Sequence, residues 1–195
     1  MAFEWITGST PQFWKNYVAL FDDEKQDAKK RFVVFEIETS TIEKKGTVMI
    51  SISGIGVVDD GIAVGDFMHA LVSGNDTEPV AQVTKNEGEP VVEAEAMIQF
   101  LNFIKDATLV SNNINSDIEV INAALKRLDL GRLKNDFMDI GVLYKRWKGI
   151  NDDSQYSLTE LCDALKTEQP DRNTSWASAY TMALTFLKLK TKLKI

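Results

Sequence analysis

Two glutamates lie within an otherwise apolar stretch of the sequence. Residues 32–40 read FVVFEIETS, which places Glu36 and Glu38 two positions apart in a predicted central strand. Because side chains alternate across a strand, both carboxylates should lie on one face. Burying unpaired charge costs free energy, so a bound cation or a raised pKa must offset it. The pair is therefore a candidate metal site, with contact to water at a sheet edge as the alternative.

The single histidine and the single cysteine add little further chemistry. His69 falls in a predicted strand, and the sequence suggests no partner for it. Cys162 shares the apolar side of a predicted helix with leucines, so we expect a buried small hydrophobe. One cysteine excludes an internal disulfide and fits a reducing compartment.

Three strands are predicted to carry and flank the two glutamates. Apolar runs and alternation give strands at 32–37, 47–58 and 62–72, with a tight turn at Asp59-Asp60-Gly61. The first is almost wholly apolar, which is typical of a strand covered on both faces. Together they form an antiparallel meander.

Helices dominate the remainder of the chain. Periodicity predicts, in order, a helix at 91–105, a strand at 108–111, a helix through residues 118–128 that Gly131 closes, a strand at 137–140 and a helix to 147. Ser157 and Glu160 have the spacing of a capping box at the start of another helix. A last helix runs from about residue 174 to the C-terminus.

The first 30 residues are predicted to form a helical extension. Pro11 follows Ser9-Thr10 in a helix-start pattern, and Phe13, Trp14 and Tyr17 form an aromatic stripe at helical spacing. Packing of this stripe onto the domain is favoured over binding of a protein partner, which stays the alternative. We therefore divide the chain into an extension, residues 1–30, and a domain, residues 31–195.

The overall composition is that of a single acidic globular domain. The chain has 195 residues, with 22 Lys and Arg against 29 Asp and Glu, a net charge of −7. This excess of acid argues against non-specific coating of nucleic acid, although a small basic track beside an acidic site remains compatible with it. The sequence contains neither a signal-like start nor a stretch long enough to span a membrane. We expect a cytoplasmic protein.

Three segments of the chain carry a pattern that is more specific than any single residue. They are FVVFEIETS, LVSNNINSDIEVINAALKRL and DRNTSWASAYTMALTFLKLK, and YSLTELCDAL lies between the last two. In order and spacing they resemble the motifs of the DEDD (DEDDh-type) 3′–5′ exonucleases, the family of the DNA polymerase III epsilon subunit. The resemblance covers roughly residues 31 to 190. It implies a ribonuclease H-like α/β fold, with a five-stranded mixed sheet flanked by helices and its first three strands antiparallel.

This resemblance also implies a role for each matching residue. Glu36, where the family has aspartate, Glu38 and Asp117 match acidic positions that hold two divalent ions, Mg²⁺ or Mn²⁺. Ser178 stands where the family has its fourth carboxylate, and Asn173 stands at the general-base histidine. The neighbouring positions that the resemblance assigns to substrate binding are Thr39, Asn112 and Asn113.

Two of these departures remove chemistry that the reaction needs. The Ser178 hydroxyl supplies no formal negative charge, and the amide of Asn173 does not titrate near neutral pH. Loss of a general base alone costs about 10²–10⁴-fold in rate. We therefore expect an exonuclease homologue that is inactive or strongly impaired, with metal binding that is weak or absent.

Other functions stay open at this point. The same fold could serve as a non-catalytic module that binds a nucleotide or a protein, and an active exonuclease could use an unconventional base. The expected ligand is the 3′ end of a nucleic acid or a nucleoside monophosphate. Natural loss of catalysis and redesign of the sequence for fold alone would both leave this pattern.

Overall fold

A mixed sheet runs through the centre of the domain in a computed structural model of the chain. The structure describes residues 10–22, 30–42, 46–73, 88–170 and 176–195. Within them, the strands are β1 (Arg31–Ile42), β2 (Gly46–Val58), β3 (Gly61–Ser73), β4 (Val91–Val92), β5 (Thr108–Ser111) and β6 (Phe137–Asp139). The helices are α1 (Gln12–Ala19), α2 (Glu93–Ile104), α3 (Ile114–Arg127), α4 (Ile140–Lys148), α5 (Leu158–Leu165) and α6 (Ala177–Leu193).

The order of strands across the described sheet is β4-β3-β2-β1-β5-β6. As predicted, β1, β2 and β3 form an antiparallel meander, whereas β5 and β6 run parallel to β1. The described sheet has six strands instead of the predicted five, because β4 adds two residues beside the end of β3. So short a strand leaves no alternation in the sequence for a prediction to use.

The two faces of the sheet are covered by different helices. Val33 and Phe35 of β1 pack in one apolar cluster with α2 and α3. Phe32 and Val34, which alternate with them, pack in a second cluster with α4, α5 and α6. Alternation along β1 therefore directs Glu36 toward the α6 face, at the point where the apolar residues of that face end.

Helix α1 packs against the domain through its aromatic residues. Trp14 and Tyr17 are buried in the first cluster, and the Tyr17 hydroxyl donates a hydrogen bond of 2.7 Å to Asn135 Oδ1. It also accepts one of 2.8 Å from the backbone N–H of Lys134. Burial raises the pKa of the Tyr17 hydroxyl to about 12. Residues 1–9 and 23–29 of the predicted extension lie outside the described residues.

Local sequence patterns predicted the start of α5 correctly and the end of α3 only approximately. Ser157 and Glu160 form the predicted capping box at the start of α5. The predicted helix through residues 118–128 is α3, which begins at Ile114 and ends before the predicted closing residue Gly131, because Asp129 with a φ of 55° follows it. Among the described residues, no helix combines the length and the hydropathy needed to cross a membrane.

Candidate functional site

Side chains from three parallel strands and the helices that follow them meet at one edge of the sheet. Parallel strands point their carboxyl ends the same way, so the ends of β1, β5 and β6 lie together. Glu36 and Glu38 come from β1, Asp117 from the first turn of α3, and Asp139 from the end of β6. This edge is the candidate site.

Glu36 lies largely buried between β2 and α6. It pairs across the strands with Ser53, and its carboxylate accepts a hydrogen bond from the Ser178 hydroxyl. Its Oε2 is buried without a hydrogen-bond partner among the described residues. Burial raises the pKa of Glu36 to about 7, against the effect of the Ser178 hydrogen bond, and the charges of Glu38 and Asp117 add to the rise.

Glu38 lies two residues further along β1, on the same side of the strand. It pairs with Ser51, whose hydroxyl donates a 2.7 Å hydrogen bond to Glu38 Oε2. The pairing register shifts between Glu38 and Thr39, so that Thr39 pairs with Met49. Such irregularities change the direction of a strand and often lie beside functional sites.

Asp117 faces the end of β5. The Ser111 hydroxyl donates a 2.5 Å hydrogen bond to Asp117 Oδ2. Burial raises the pKa of Asp117 to about 6, with a further contribution from the charge of Asp139. The first turn of α3 receives its carboxylate from another segment, because the Ile114 N–H donates to Asp139.

Asp139 joins the starts of α3 and α4, a role that the motif comparison did not assign. Its Oδ1 accepts from the Val142 N–H at 3.0 Å as the N-cap of α4, and its Oδ2 accepts from the Ile114 N–H at 3.2 Å. An added Cβ at Gly141 would lie 3.1 Å from the same carboxylate, so little room is left there. An acidic residue between a predicted strand and helix was the available signal.

Asn112 and Asn113 follow β5 at this edge. Asn112 Nδ2 donates to the Tyr156 carbonyl at 3.0 Å, and its buried Oδ1 has no hydrogen-bond partner among the described residues. Val34 and Val110 are the last pair of the β1–β5 ladder, so Glu36 and Asn112 each lie two residues beyond its end. The more exposed Asn113 donates its backbone N–H to Ser111 Oγ at 3.3 Å. Two buried acceptor oxygens in the site thus lack donors in the described part of the chain.

A polar row crosses the sheet from Glu36. Ser53 lies opposite Glu36 on one side and opposite His69 on the other, and Ser53 Oγ is 2.9 Å from His69 Nδ1. The sequence suggested no partner for His69, and this contact corrects that interpretation. Cross-strand pairing of residues 16 positions apart carries no local sequence signal.

Comparison with known proteins identifies the architecture. No family model matches the chain. A DNA polymerase III PolC-type of Caldanaerobacter subterraneus subsp. tengcongensis is 27% identical over 172 residues, which are 84% of this chain and 12% of the polymerase. Exonuclease X, solved with 5′-overhanging duplex DNA, has a TM-score of 0.59 at 14% identity and covers 84% of this chain and 93% of its own. The chain has an exonuclease fold.

A second exonuclease structure supports this fold. The zinc-bound complex of E. coli ExoI with single-stranded DNA has a TM-score of 0.66 at 14% identity, over 84% of this chain and 41% of that one. The α/β architecture and the resemblance to DEDD exonucleases predicted from the motifs are therefore confirmed. The chain spans only a small part of its polymerase relative.

Each acidic residue that the sequence predicted as a metal ligand accepts a hydrogen bond from a serine. Glu36 accepts from Ser178, Glu38 from Ser51 and Asp117 from Ser111. No group of three or more His, Cys, Asp or Glu side chains in the described ranges is placed to hold a metal ion. As placed, these donors do not fit the two-ion centre that the exonuclease fold implies, and the predicted Mg²⁺ or Mn²⁺ site stays a prediction.

The third exonuclease motif is only partly described. Ser178 lies in the first turn of α6 and faces Glu36. Asn173, predicted at the general-base position, lies outside the described residues. Trp176 at the start of α6 packs edge-on against Phe67 of β3, with ring centroids 5.9 Å apart. Cys162 is buried, as expected.

Proposed function

We propose that this protein binds the 3′ end of a single-stranded nucleic acid in the exonuclease-type cleft and hydrolyses it poorly or not at all. The observation that carries the proposal is the hydrogen bond from Ser178 to Glu36. A neutral hydroxyl there occupies the place that the motif comparison gives to an anionic metal ligand. The site keeps the carboxylates of Glu36, Glu38 and Asp117 but lacks a fourth negative charge.

The loss of hydrolysis follows from what phosphodiester cleavage requires. Two divalent ions stabilise the attacking and leaving oxygens, and hard cations prefer carboxylate oxygens. Replacing a carboxylate by the Ser178 hydroxyl weakens that set, and Asn173 cannot accept the proton of an attacking water. Both changes lower the rate, so we expect trimming at or near the uncatalysed background.

Binding of a 3′ end is supported by the acceptors that lack donors. Glu36 Oε2 and Asn112 Oδ1, each two residues beyond the β1–β5 ladder, are buried and without partners in the described residues. Asn112 Nδ2 is fixed by the Tyr156 carbonyl, so the Oδ1 must serve as the acceptor. An unsatisfied buried acceptor costs about 1–3 kcal/mol. The hydroxyl of a terminal sugar would supply a donor, and both exonuclease neighbours were solved with DNA.

Two other functions compete with this proposal. An active exonuclease that depends on Mg²⁺ or Mn²⁺ would need a base other than Asn173. A protein-binding module using α1 is less favoured, because Trp14 and Tyr17 are buried against the domain. A cytoplasmic location suits a nucleic-acid ligand and belongs to the same proposal.

Binding to linear and circular oligonucleotides tests the proposal directly. We would measure fluorescence anisotropy in EDTA with a linear 12-mer and a circular 12-mer of the same sequence. The expected result is at least tenfold tighter binding of the linear strand. Asn112→Ala should weaken that binding, whereas Asn102→Ala, an exposed asparagine on α2, should not. Equal binding of both forms, or no binding of either, would overturn the proposal.

A further inference from the structure

A groove lies between the exposed side of α6 and the chain that follows α5. It has a volume of about 630 Å³, and none of the described residues that line it belongs to the candidate site. Its lining on α6 includes four residues that recur at helical spacing and so lie on one side of the helix: Tyr180, Leu184, Leu187 and Thr191. We call this groove the α6 groove.

The side of α6 that lines the groove carries an apolar stripe. Leu184 lies four residues after Tyr180 and three before Leu187, so the three side chains are neighbours along the helix. Tyr180 is 41% exposed, and both leucines are partly exposed. Leu187 packs against the second apolar cluster, whereas Leu184 belongs to neither cluster of the described residues. The described fold therefore has no use for Leu184 in its core.

Lysines flank this apolar stripe. Lys166, Lys188 and Lys192 line the groove, against the single acidic residue Glu168 among its described lining. The local excess of positive charge is opposite in sign to the net charge of −7. Lys188 also has a structural role at the end of α5, because its Nζ donates to the carbonyls of Leu165 and Lys166 at 2.9 Å and 2.7 Å. Lys166 and Lys192 are exposed side chains that a partner can reach.

An apolar stripe between lysines fits an amphipathic partner that carries carboxylates. Covering Leu184 and Leu187 removes apolar surface from water, which requires apolar side chains on the partner. A lysine is a point charge on a flexible stem, so Lys166 and Lys192 suit carboxylates that flank those apolar side chains. A nucleic-acid strand would place phosphates beside the lysines, but its charged backbone would leave the leucines without an apolar partner.

The shape of the groove indicates a helical partner. The groove is lined by α6 and the segment after α5, and none of its described lining belongs to a strand, so it offers no sheet edge to which an extended peptide could add. From Tyr180 to Thr191 the helix rises by about 16 Å, which matches about three turns of a partner helix. Such a helix presents its apolar anchors at positions i, i+3 or i+4, and i+7.

We propose that the α6 groove binds an acidic amphipathic helix of another protein, about three turns long. Its apolar residues pack on Leu184, Leu187 and the ring of Tyr180, and its carboxylates pair with Lys166 and Lys192. The inference does not rest on the proposed function, because the groove shares no described residue with the candidate site. It accounts for a basic, partly apolar groove on an acidic protein.

Selection from a peptide display library tests the charge and the spacing of this partner. Random peptides about four turns long, without bias in charge, would be selected on the full chain, and the recovered peptides measured by fluorescence anisotropy at several salt concentrations. They should be acidic, with apolar residues at the expected spacing, and should bind more weakly as salt rises. Lys166→Glu with Lys192→Glu should weaken them at least tenfold, and Leu184→Ser about fivefold or more. Thr191→Glu, an exposed change on the same side of α6, should also weaken them.

Matched variants outside the groove serve as controls. Lys15→Glu with Lys126→Glu makes the same charge change on α1 and α3, and Val142→Ser replaces an exposed apolar residue on α4, so both should bind the peptides as the parent does. Urea unfolding of every variant reports an intact fold, and Thr191→Glu replaces any groove variant that does not fold.

Several results would overturn the inference. They are a selection that yields no peptide, recovered peptides that are neutral or basic, and groove variants that bind as tightly as the controls. Oligonucleotide binding that the groove variants lose and the controls keep would assign the groove to a nucleic acid. Self-association that Leu184→Ser abolishes, without an effect on peptide binding, would assign it to a second copy of this chain.

Discussion

Ser178 donates its hydroxyl hydrogen bond to the carboxylate of Glu36, across the boundary between α6 and the sheet. The contact satisfies one part of a carboxylate whose Oε2 stays buried without a partner among the described residues. It therefore compensates only partly for burial, which leaves the pKa of Glu36 near 7. At neutral pH the Glu36 carboxyl of the apo protein is therefore divided between its protonated and ionised forms.

The stability of the apo protein should fall as pH rises. The pKa of Glu36 is raised from 4.5 to about 7 in the folded state, so between these values the unfolded chain loses a proton that the folded chain keeps. The stabilisation that Glu36 contributes is fully present below pH 4.5 and is lost as the pH rises through about 7. From pH 5 to pH 8 this group alone should remove about 2 kcal/mol. Asp117, whose pKa is raised to about 6, acts in the same direction.

Urea unfolding at pH 5 and pH 8 in EDTA measures this loss. Glu36→Gln should clearly reduce the fall in the free energy of unfolding between pH 5 and pH 8, and it should stabilise the protein at pH 8. Glu119→Gln, an exposed change on α3, should leave the decline as it is. A parent protein that is equally stable at both pH values would show that Glu36 is ionised in the fold.

Replacing Asp139 should lower the free energy of unfolding more than replacing an exposed aspartate does. It accepts hydrogen bonds from the first turns of both α3 and α4, so Asp139→Ala leaves two N–H groups without their partner. We expect a loss of about 2–3 kcal/mol in the free energy of unfolding. Asp153→Ala, in an exposed stretch, serves as the matched control in the same denaturant titration. Similar small effects of both changes would remove the structural role given to Asp139.

Tyr17 should anchor α1 through its hydroxyl. Tyr17→Phe removes the donor to Asn135 and the acceptor for the Lys134 N–H while the ring stays packed. The expected cost is about 1–3 kcal/mol, because buried polar groups lose their partner. Tyr180→Phe makes the same chemical change at an exposed ring and should cost little. Thermal unfolding of the two variants gives the comparison, and equal melting temperatures would contradict the anchor.

Restoring the family residues should restore cation binding. Glu36→Asp, Asn173→His and Ser178→Asp together would return a fourth carboxylate to the cleft and the histidine to the predicted third motif. Isothermal titration with Mn²⁺ should show at least tenfold tighter binding than in the parent, and adding Asp117→Asn should abolish the gain. Single changes should do little, because groups that act as a unit are strongly non-additive. Binding no tighter than in the parent would mean that Ser178 is not the counterpart of the third-motif aspartate.

The sequence predicted the parts of this protein that depend on local periodicity. The alternation in β1 predicted that Glu36 and Glu38 share one side of the strand, and the register opposite Ser53 and Ser51 agrees. The capping box at Ser157 is likewise a local pattern, set by side chains three residues apart. Such features need no knowledge of the rest of the chain.

Other features of the site depend on contacts between distant segments. Ser51 on β2 lies 13 positions from Glu38, and Ser178 on α6 lies far along the chain from Glu36. Only the assembled fold brings each serine to its carboxylate. The same is true of Ser53 with His69, and of Asp139 with Ile114 at a separation of 25 residues. Motif comparison predicted the acidic site residues, but it could not predict the hydroxyls that donate hydrogen bonds to them.

The most direct test of the account is trimming of a 3′ end. A 5′-labelled single-stranded oligonucleotide would be incubated with excess purified protein and Mg²⁺ or Mn²⁺, and its length followed on a denaturing gel. We predict that the strand stays at full length, as it does in EDTA, although anisotropy shows that the protein binds it. A ladder of shortened products that disappears with Glu38→Ala would contradict the account and identify an active exonuclease.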